Sequence, residues 1–116
     1  MMQDCIFCKI ISGIIPAKRI YETDDLIVVV DIAPKAPVHY LIIPKKHLKN
    51  IQSCDQSDQV MLGNILLAAQ HLSMMLVGNG EFKLVSNNGQ SVGQSVFHIH
   101  FHFLAGGGNY LQTSAV

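Results

Sequence analysis

His98, His100 and His102 alternate with Ile99, Phe101 and Phe103, so half of the six histidines in the chain fall at every second position of one short run. On a β-strand a period of two sends the three imidazoles to one side and Ile99, Phe101 and Phe103 to the core. Neighbouring histidines would then stand roughly 6.6 Å apart and the outer pair roughly 13 Å, from a rise of about 3.3 Å per residue. A single metal ion could not take all three. One histidine on a half-exposed strand is unremarkable, but three in strict alternation suggest chemistry, and two kinds are open. A His-x-His pair can bind a catalytic zinc or iron, usually with a nearby carboxylate or further histidine, although no Asp or Glu follows His102 in the chain. Alternatively, imidazole, with a pKa of about 6.5, is largely neutral at pH 7 and can attack phosphorus without a strong base. It then leaves when water arrives, which divides one hard displacement into two easier ones.

A second candidate is Cys5-Ile6-Phe7-Cys8, which offers two soft ligands at a spacing common in tetrahedral zinc sites; the plain alternative is a pair of buried thiols. Cys54 and His71 stand apart from both motifs.

These residues need a scaffold, and the chain suggests one. Cys5 to Ser12 is apolar and followed by Gly13, which fits a short helix packed on a sheet. Arg19 to Tyr21 and Leu26 to Val30 form a hairpin across Glu22-Thr23-Asp24-Asp25. Asp31 to Pro37, with Pro34 and Pro37, must be a loop before a strand at His39 to Ile43 that ends at Pro44. From about Gln56 to Val77 the apolar residues Val60, Met61, Ile65, Ala68, Leu72 and Met75 or Leu76 recur at helical spacing, which predicts one long amphipathic helix. Asn79-Gly80 ends it, Phe82 to Ser86 resumes a strand, a polar loop runs to Ser95, and Val96 to Leu104 is the last strand. The tail from Ala105 to Val116 is expected to be irregular.

With 116 residues, one domain is expected over 1–116. A hydrophobic share of 49% against 14% charged residues is high for a small monomer and suggests apolar surface covered by a second copy. Eight basic residues balance eight acidic ones without forming a stripe, which argues against long nucleic acid as a partner. No apolar run is long enough for a membrane span or a leader, and the cysteine usage suits a reducing compartment, so the expected location is the cytoplasm.

The run Gly93-Gln94-Ser95-Val96-Phe97-His98-Ile99-His100-Phe101-His102-Phe103-Leu104 resembles the signature of the histidine-triad (HIT) superfamily, in which three histidines alternate with apolar residues. The Hint branch is the nearest likeness. It extends through Asp31-Ile32-Ala33-Pro34-Lys35-Ala36-Pro37-Val38-His39 and Ile43-Pro44-Lys45-Lys46-His47 to Cys5-Ile6-Phe7-Cys8-Lys9-Ile10. The resemblance implies an α+β fold: a five-stranded, mostly antiparallel sheet with one long helix and a short N-terminal helix, dimerising through about Gln56 to Phe82. It implies that His100 is the nucleophile, its other nitrogen held by the carbonyl of His98, that His102 donates to phosphate, and that His39 supports the nucleophile. Asn87, Gln94 and Ser95 would touch phosphate and leaving group, with Gly89 and Gly93 allowing close approach. Asp31 would bind the ribose, and Ile6, Phe7, Ile10, Val29 and Ile32 would line a slot for the purine. A third histidine favours hydrolysis over nucleotidyl transfer, so a purine nucleoside phosphoramidase is the implied enzyme. A dinucleoside polyphosphate hydrolase, or a nucleotide-binding regulator with incidental turnover, are the alternatives. In a zinc-containing subset of the family the ligands correspond to Cys5, Cys8, His47 and His98. The tail departs from many Hint proteins in having Gly106-Gly107-Gly108 with no nearby arginine or tryptophan.

Overall fold

The computed structural model describes residues 4–106. Its centre is a five-stranded sheet in the order β1-β2-β3-β5-β4, built from β1 (Arg19–Glu22), β2 (Leu26–Val30), β3 (Val38–Pro44), β4 (Lys83–Val85) and β5 (Phe101–Ala105). Every pairing is antiparallel. Helix α1 (Ile6–Ile11) covers one face and helix α2 (Gln59–Met74) the other. Because both faces of β2 are covered, its sequence Leu-Ile-Val-Val-Val is a continuous apolar run rather than an alternating one. Leu26 and Val28 join Ile42, Phe103 and the α2 residues Ile65, Ala68, Ala69 and Leu72, whereas Ile27 and Val29 join Leu41, Ile43 and the α1 residues Phe7 and Cys8.

Six residues are too few for a helix to persist on its own, and α1 is held from outside at both ends. The Cys5 sulfur accepts from the amide of Cys8 at its N-terminus, while the Arg19 guanidinium donates to the carbonyls of Ile10 (2.8 Å) and Ile11 (3.0 Å) at its C-terminus. Gly106, just past β5, has φ +103°, and a Cβ there would lie 2.6 Å from Cβ of Pro37, so both backbone and space require glycine.

The structure corrects several boundaries. The stretch expected to be helical from Gln56 to Val77 begins as a 3-10 turn at Gln56–Asp58, and α2 itself runs from Gln59 to Met74. Val60, expected on the core face, is 74% exposed, and of Met75 or Leu76 it is Leu76 that packs on the core. Leu66, Leu67 and Met74 are exposed as well, so α2 carries apolar residues on two faces and its simple one-faced reading fails. The last strand was expected from Val96 but starts at Phe101, and Ala105 belongs to it rather than to the tail. The rest of the expected tail, residues 107–116, lies outside the described residues. Among the described residues, no helix is long and apolar enough to cross a membrane.

Phe103 sits at the middle of the α2-facing core, fully buried between Tyr40 (ring centroids 6.1 Å apart) and Phe82 (4.7 Å). Phe103→Ala should lower the unfolding free energy by about 3–5 kcal/mol through lost burial and the cavity left behind. Equilibrium denaturation of the two proteins measures this, and a loss below about 1 kcal/mol would contradict the packing described.

Candidate functional site

Strand pleating brings the first pair of histidines together. In the β3–β5 register His39 faces Leu104 and Leu41 faces His102, so His39 and His102 are diagonal neighbours on the α1 side of the sheet. Nε2 of His39 lies 2.9 Å from Nδ1 of His102 and 3.3 Å from Oδ2 of Asp31, while Nδ1 of His39 accepts from the amide of Lys35 at 3.0 Å. Oδ1 of Asp31 accepts from the amide of Ala33 at 2.8 Å, which fixes the carboxylate from its other side. The direct ring partner of His39 is His102.

His98 and His100 precede the ladder, and Pro44 explains why. The same register would place Ile99 opposite Pro44, which has no N–H to continue the pairing. The amide of Ile99 donates instead to the carbonyl of Leu48 (2.7 Å), and the carbonyl of Pro44 accepts from Nε2 of His98 (2.7 Å). Alternation nevertheless survives: Ile99 and Phe103 are buried in the core, Phe101 is half-buried, and the imidazoles line one side. The Phe7 ring meets His98 edge-on at 5.9 Å and His100 at 4.9 Å, and His100 meets His102 at 5.2 Å.

His100 donates from Nδ1 to the carbonyl of His98 at 2.8 Å, so its neutral ring carries a lone pair on Nε2. Burial lowers its pKa, against the opposing pull of the His98 carbonyl and the Asp31 charge. Burial likewise lowers that of His39, opposed by Asp31. His102 is pushed down to about 4 by burial, with the neighbouring His100 and His39 adding to it. All three rings are therefore neutral at pH 7.

A separate cluster joins Cys5, Cys8, His47 and His98. Nδ1 of His98 lies 3.4 Å from Sγ of Cys5, 3.6 Å from Sγ of Cys8 and 3.1 Å from Nδ1 of His47, and Sγ of Cys8 is 3.3 Å from that last atom. Zinc bonds of about 2.0–2.1 Å to nitrogen and about 2.3 Å to sulfur imply edges of roughly 3.3–3.8 Å between tetrahedral ligands, close to these separations. Because Nε2 of His98 donates to Pro44, its Nδ1 carries the lone pair that a cation needs. The four side chains, with all ligand atoms within 4.8 Å of one another, fit a divalent metal such as zinc.

The polar loop is held by bonds of its own side chains. Gln94 is buried and fully committed: its Oε1 accepts from the amide of Gly89 (2.9 Å), and its Nε2 donates to the carbonyls of Lys49 (2.7 Å) and Val96 (3.1 Å). These three bonds brace the loop. Asn87 donates to the carbonyl of Val92 (2.9 Å), and Gly93 turns beside it with φ +97°. Ser95 is exposed. Of the residues expected to line the purine slot, Phe7 and Val29 are buried in the core, Ile10 is half-buried, and Ile6 and Ile32 are exposed. A cleft of about 570 Å³ opens beside the sulfur and imidazole cluster, lined by Cys5, Ile6, His47, Lys49, Ser95 and Phe97, with the Lys49 ammonium 5.4 Å from the Phe97 ring centre. The contributions of Pro44, Leu48 and Lys35 were missed; each acts through a main-chain atom and leaves no residue-type signature.

The lowered pKa of His102 has a consequence for stability. Between pH about 6.5 and about 4 an unfolded chain protonates this ring while the folded chain does not, so the unfolded state binds more protons and stability falls as pH is lowered through that window. Urea denaturation across the window should show this slope, and His102→Gln should make it shallower by the share of one ring, with His39, His98 and His100 keeping the rest. An equal slope in both proteins would contradict the burial argument.

Comparison with known proteins agrees with this arrangement. The family described as "Scavenger mRNA decapping enzyme C-term binding" matches residues 4–112. An uncharacterized HIT-like protein of Synechocystis is 45% identical over 106 residues, covering 91% of this chain and 93% of that protein. A HIT family hydrolase from Legionella pneumophila superposes with a TM-score of 0.86 at 40% identity, covering 90% of this chain and 95% of that one. Another from Clostridium thermocellum gives 0.89 at 38% identity, covering 94% and 96%. With the three alternating histidines, the antiparallel sheet and these relatives in agreement, the chain belongs to the histidine-triad (HIT) family.

Proposed function

We propose that this protein hydrolyses purine nucleoside phosphoramidates, or related conjugates of a nucleoside monophosphate, through a nucleotidyl-His100 intermediate, as a member of the Hint branch. The observation that carries this reading is the bond from Nδ1 of His100 to the carbonyl of His98, which leaves an unprotonated Nε2 on a ring that burial keeps neutral. Two similar solved structures bear the name hydrolase, which supports hydrolysis as the reaction class.

In the first step Nε2 of His100 bonds to the α-phosphorus as the bond from phosphorus to the leaving nitrogen breaks. The departing amine takes a proton from solvent relayed through the exposed Ser95 hydroxyl, which regains it from water, while the neutral His102 ring keeps its hydrogen and donates a hydrogen bond to a phosphoryl oxygen. Water then attacks phosphorus, the bond to His100 breaks, and the nucleoside monophosphate departs. Donors aimed at the phosphoryl oxygens stabilise charge as it develops there. Asp31 accepts from the ribose hydroxyls, Asn87 and Gly93 border the phosphate, and Ile6, Ile10 and Ile32 give the purine an open apolar surface. Cys5, Cys8, His47 and His98 hold a structural zinc, which ties α1 to the start of the triad and takes no part in bond making. The exposed Val60, Leu66, Leu67 and Met74 of α2, with Phe82 beyond it, form the interface of a homodimer.

His100→Ala should lower the turnover of adenosine phosphoramidate at least about a hundredfold by removing a covalent nucleophile. Trapping with a panel of phosphoramidates, dinucleoside polyphosphates and acyl-adenylates, read by mass spectrometry, should place the adduct on His100. An active alanine variant, or an adduct elsewhere, overturns the assignment. Native mass spectrometry of protein purified without chelator should show a dimer with zinc in each chain, and Cys8→Ser should lose the metal while the sheet survives. A metal-free monomer would count against both assignments.

A further inference from the structure

A neutral imidazole has one N–H and one lone pair, so fixing the role of one nitrogen fixes the other. The amide of Lys35 can only donate, and it meets Nδ1 of His39 at 3.0 Å. That nitrogen is therefore the lone pair, and Nε2 of His39 carries the hydrogen. Nε2 faces two groups able to accept it, Nδ1 of His102 at 2.9 Å and Oδ2 of Asp31 at 3.3 Å. Nδ1 of His102 is then also a lone pair, and the hydrogen of that ring lies on Nε2. The His39 side chain is fully buried, so water cannot substitute for either partner.

We propose that the Lys35 amide, acting through His39, makes Nε2 of His102 a hydrogen-bond donor, and that His39 is a positioning residue for that donor. The phosphate as recipient rests on the reading of His100 as nucleophile; the direction of the hydrogen bonds does not. Asp31 steadies His39 from the side and is itself pinned by the amide of Ala33. Pro34 has a ring-fixed φ and no N–H of its own, which restricts the turn that presents the Lys35 amide. On separation alone the same three side chains, Asp31, His39 and His102, could hold a divalent cation. Hydrogen-bond polarity opposes it: a cation on Nε2 of His39 would force the ring hydrogen onto Nδ1, where it would face the Lys35 N–H, donor against donor.

Long-range proton–nitrogen correlation spectra of protein labelled with nitrogen-15 at histidine report which ring nitrogen bears hydrogen. In the wild-type protein His102 should carry it on Nε2. His39→Leu removes the relay, so His102 should acquire a population with hydrogen on Nδ1, and kcat should fall about a hundredfold or more with KM little changed, as expected for a lost transition-state donor. His39→Gln returns an N–H near the same place; it should restore the Nε2 form and most of the activity. An unchanged bond from His100 to the His98 carbonyl serves as the folding control in both variants. Hydrogen on Nδ1 of His102 in the wild type, an unaltered pattern in His39→Leu, or a stoichiometric cation lost with His39 would overturn the proposal. Since the tautomer is read without substrate, absence of turnover would sink the phosphoramidase reading and leave this one standing.

Discussion

The carbonyl of Pro44 takes the hydrogen of His98, and the carbonyl of His98 takes that of His100. Through these two bonds the main chain decides, ring by ring, which nitrogen is left with a lone pair. In His98 it is the nitrogen turned to the sulfurs of Cys5 and Cys8, and in His100 it is the outer one. A side chain that could exchange tautomers freely would spend part of its time with a hydrogen on the nitrogen that has to act. Main-chain acceptors avoid this without adding charge, and they are as rigid as the strand that carries them.

Burial supplies the companion constraint. The α1 face of the sheet gathers apolar residues from β2 and β3 around the histidines, and desolvation disfavours imidazolium there. Asp31 opposes this with its negative charge, though more weakly than burial for both His39 and His100. The result is a neutral set of rings beside a single carboxylate. Neutrality suits attack on phosphorus, and it gives hydrogen-bond direction more weight than net charge.

Much of this was legible in the chain. Three imidazoles in alternation announced one face of an extended segment, Pro44 announced the end of β3, and the spacing from Ile65 to Leu72 announced the buried face of α2. What the pattern did not convey has specific physical causes. Pro44 also ended the ladder on its neighbour, a cross-strand effect invisible without the register, so β5 begins at Phe101 rather than Val96. Gln94 could be placed in the polar loop from its type and position, but its three hydrogen bonds, to main-chain atoms of Gly89, Lys49 and Val96, exist only once the fold brings those segments together. Val60 is apolar and exposed, and helical spacing alone does not separate a residue facing outward from one in the core. Lys35 contributes an amide, and amides are the same in nearly every residue.

The smallest helix has a significance its length conceals. Its leading end is Cys5, a member of the sulfur and imidazole cluster, its trailing end is tied to Arg19, and Phe7 between them leans on His100. Such a segment has no folding life of its own: it is a doorstop wedged between two fixtures. Slackening at either fixture would reach the His100 ring as a loosened neighbour, and long before the sheet yielded, that imidazole would lose the wall it leans against.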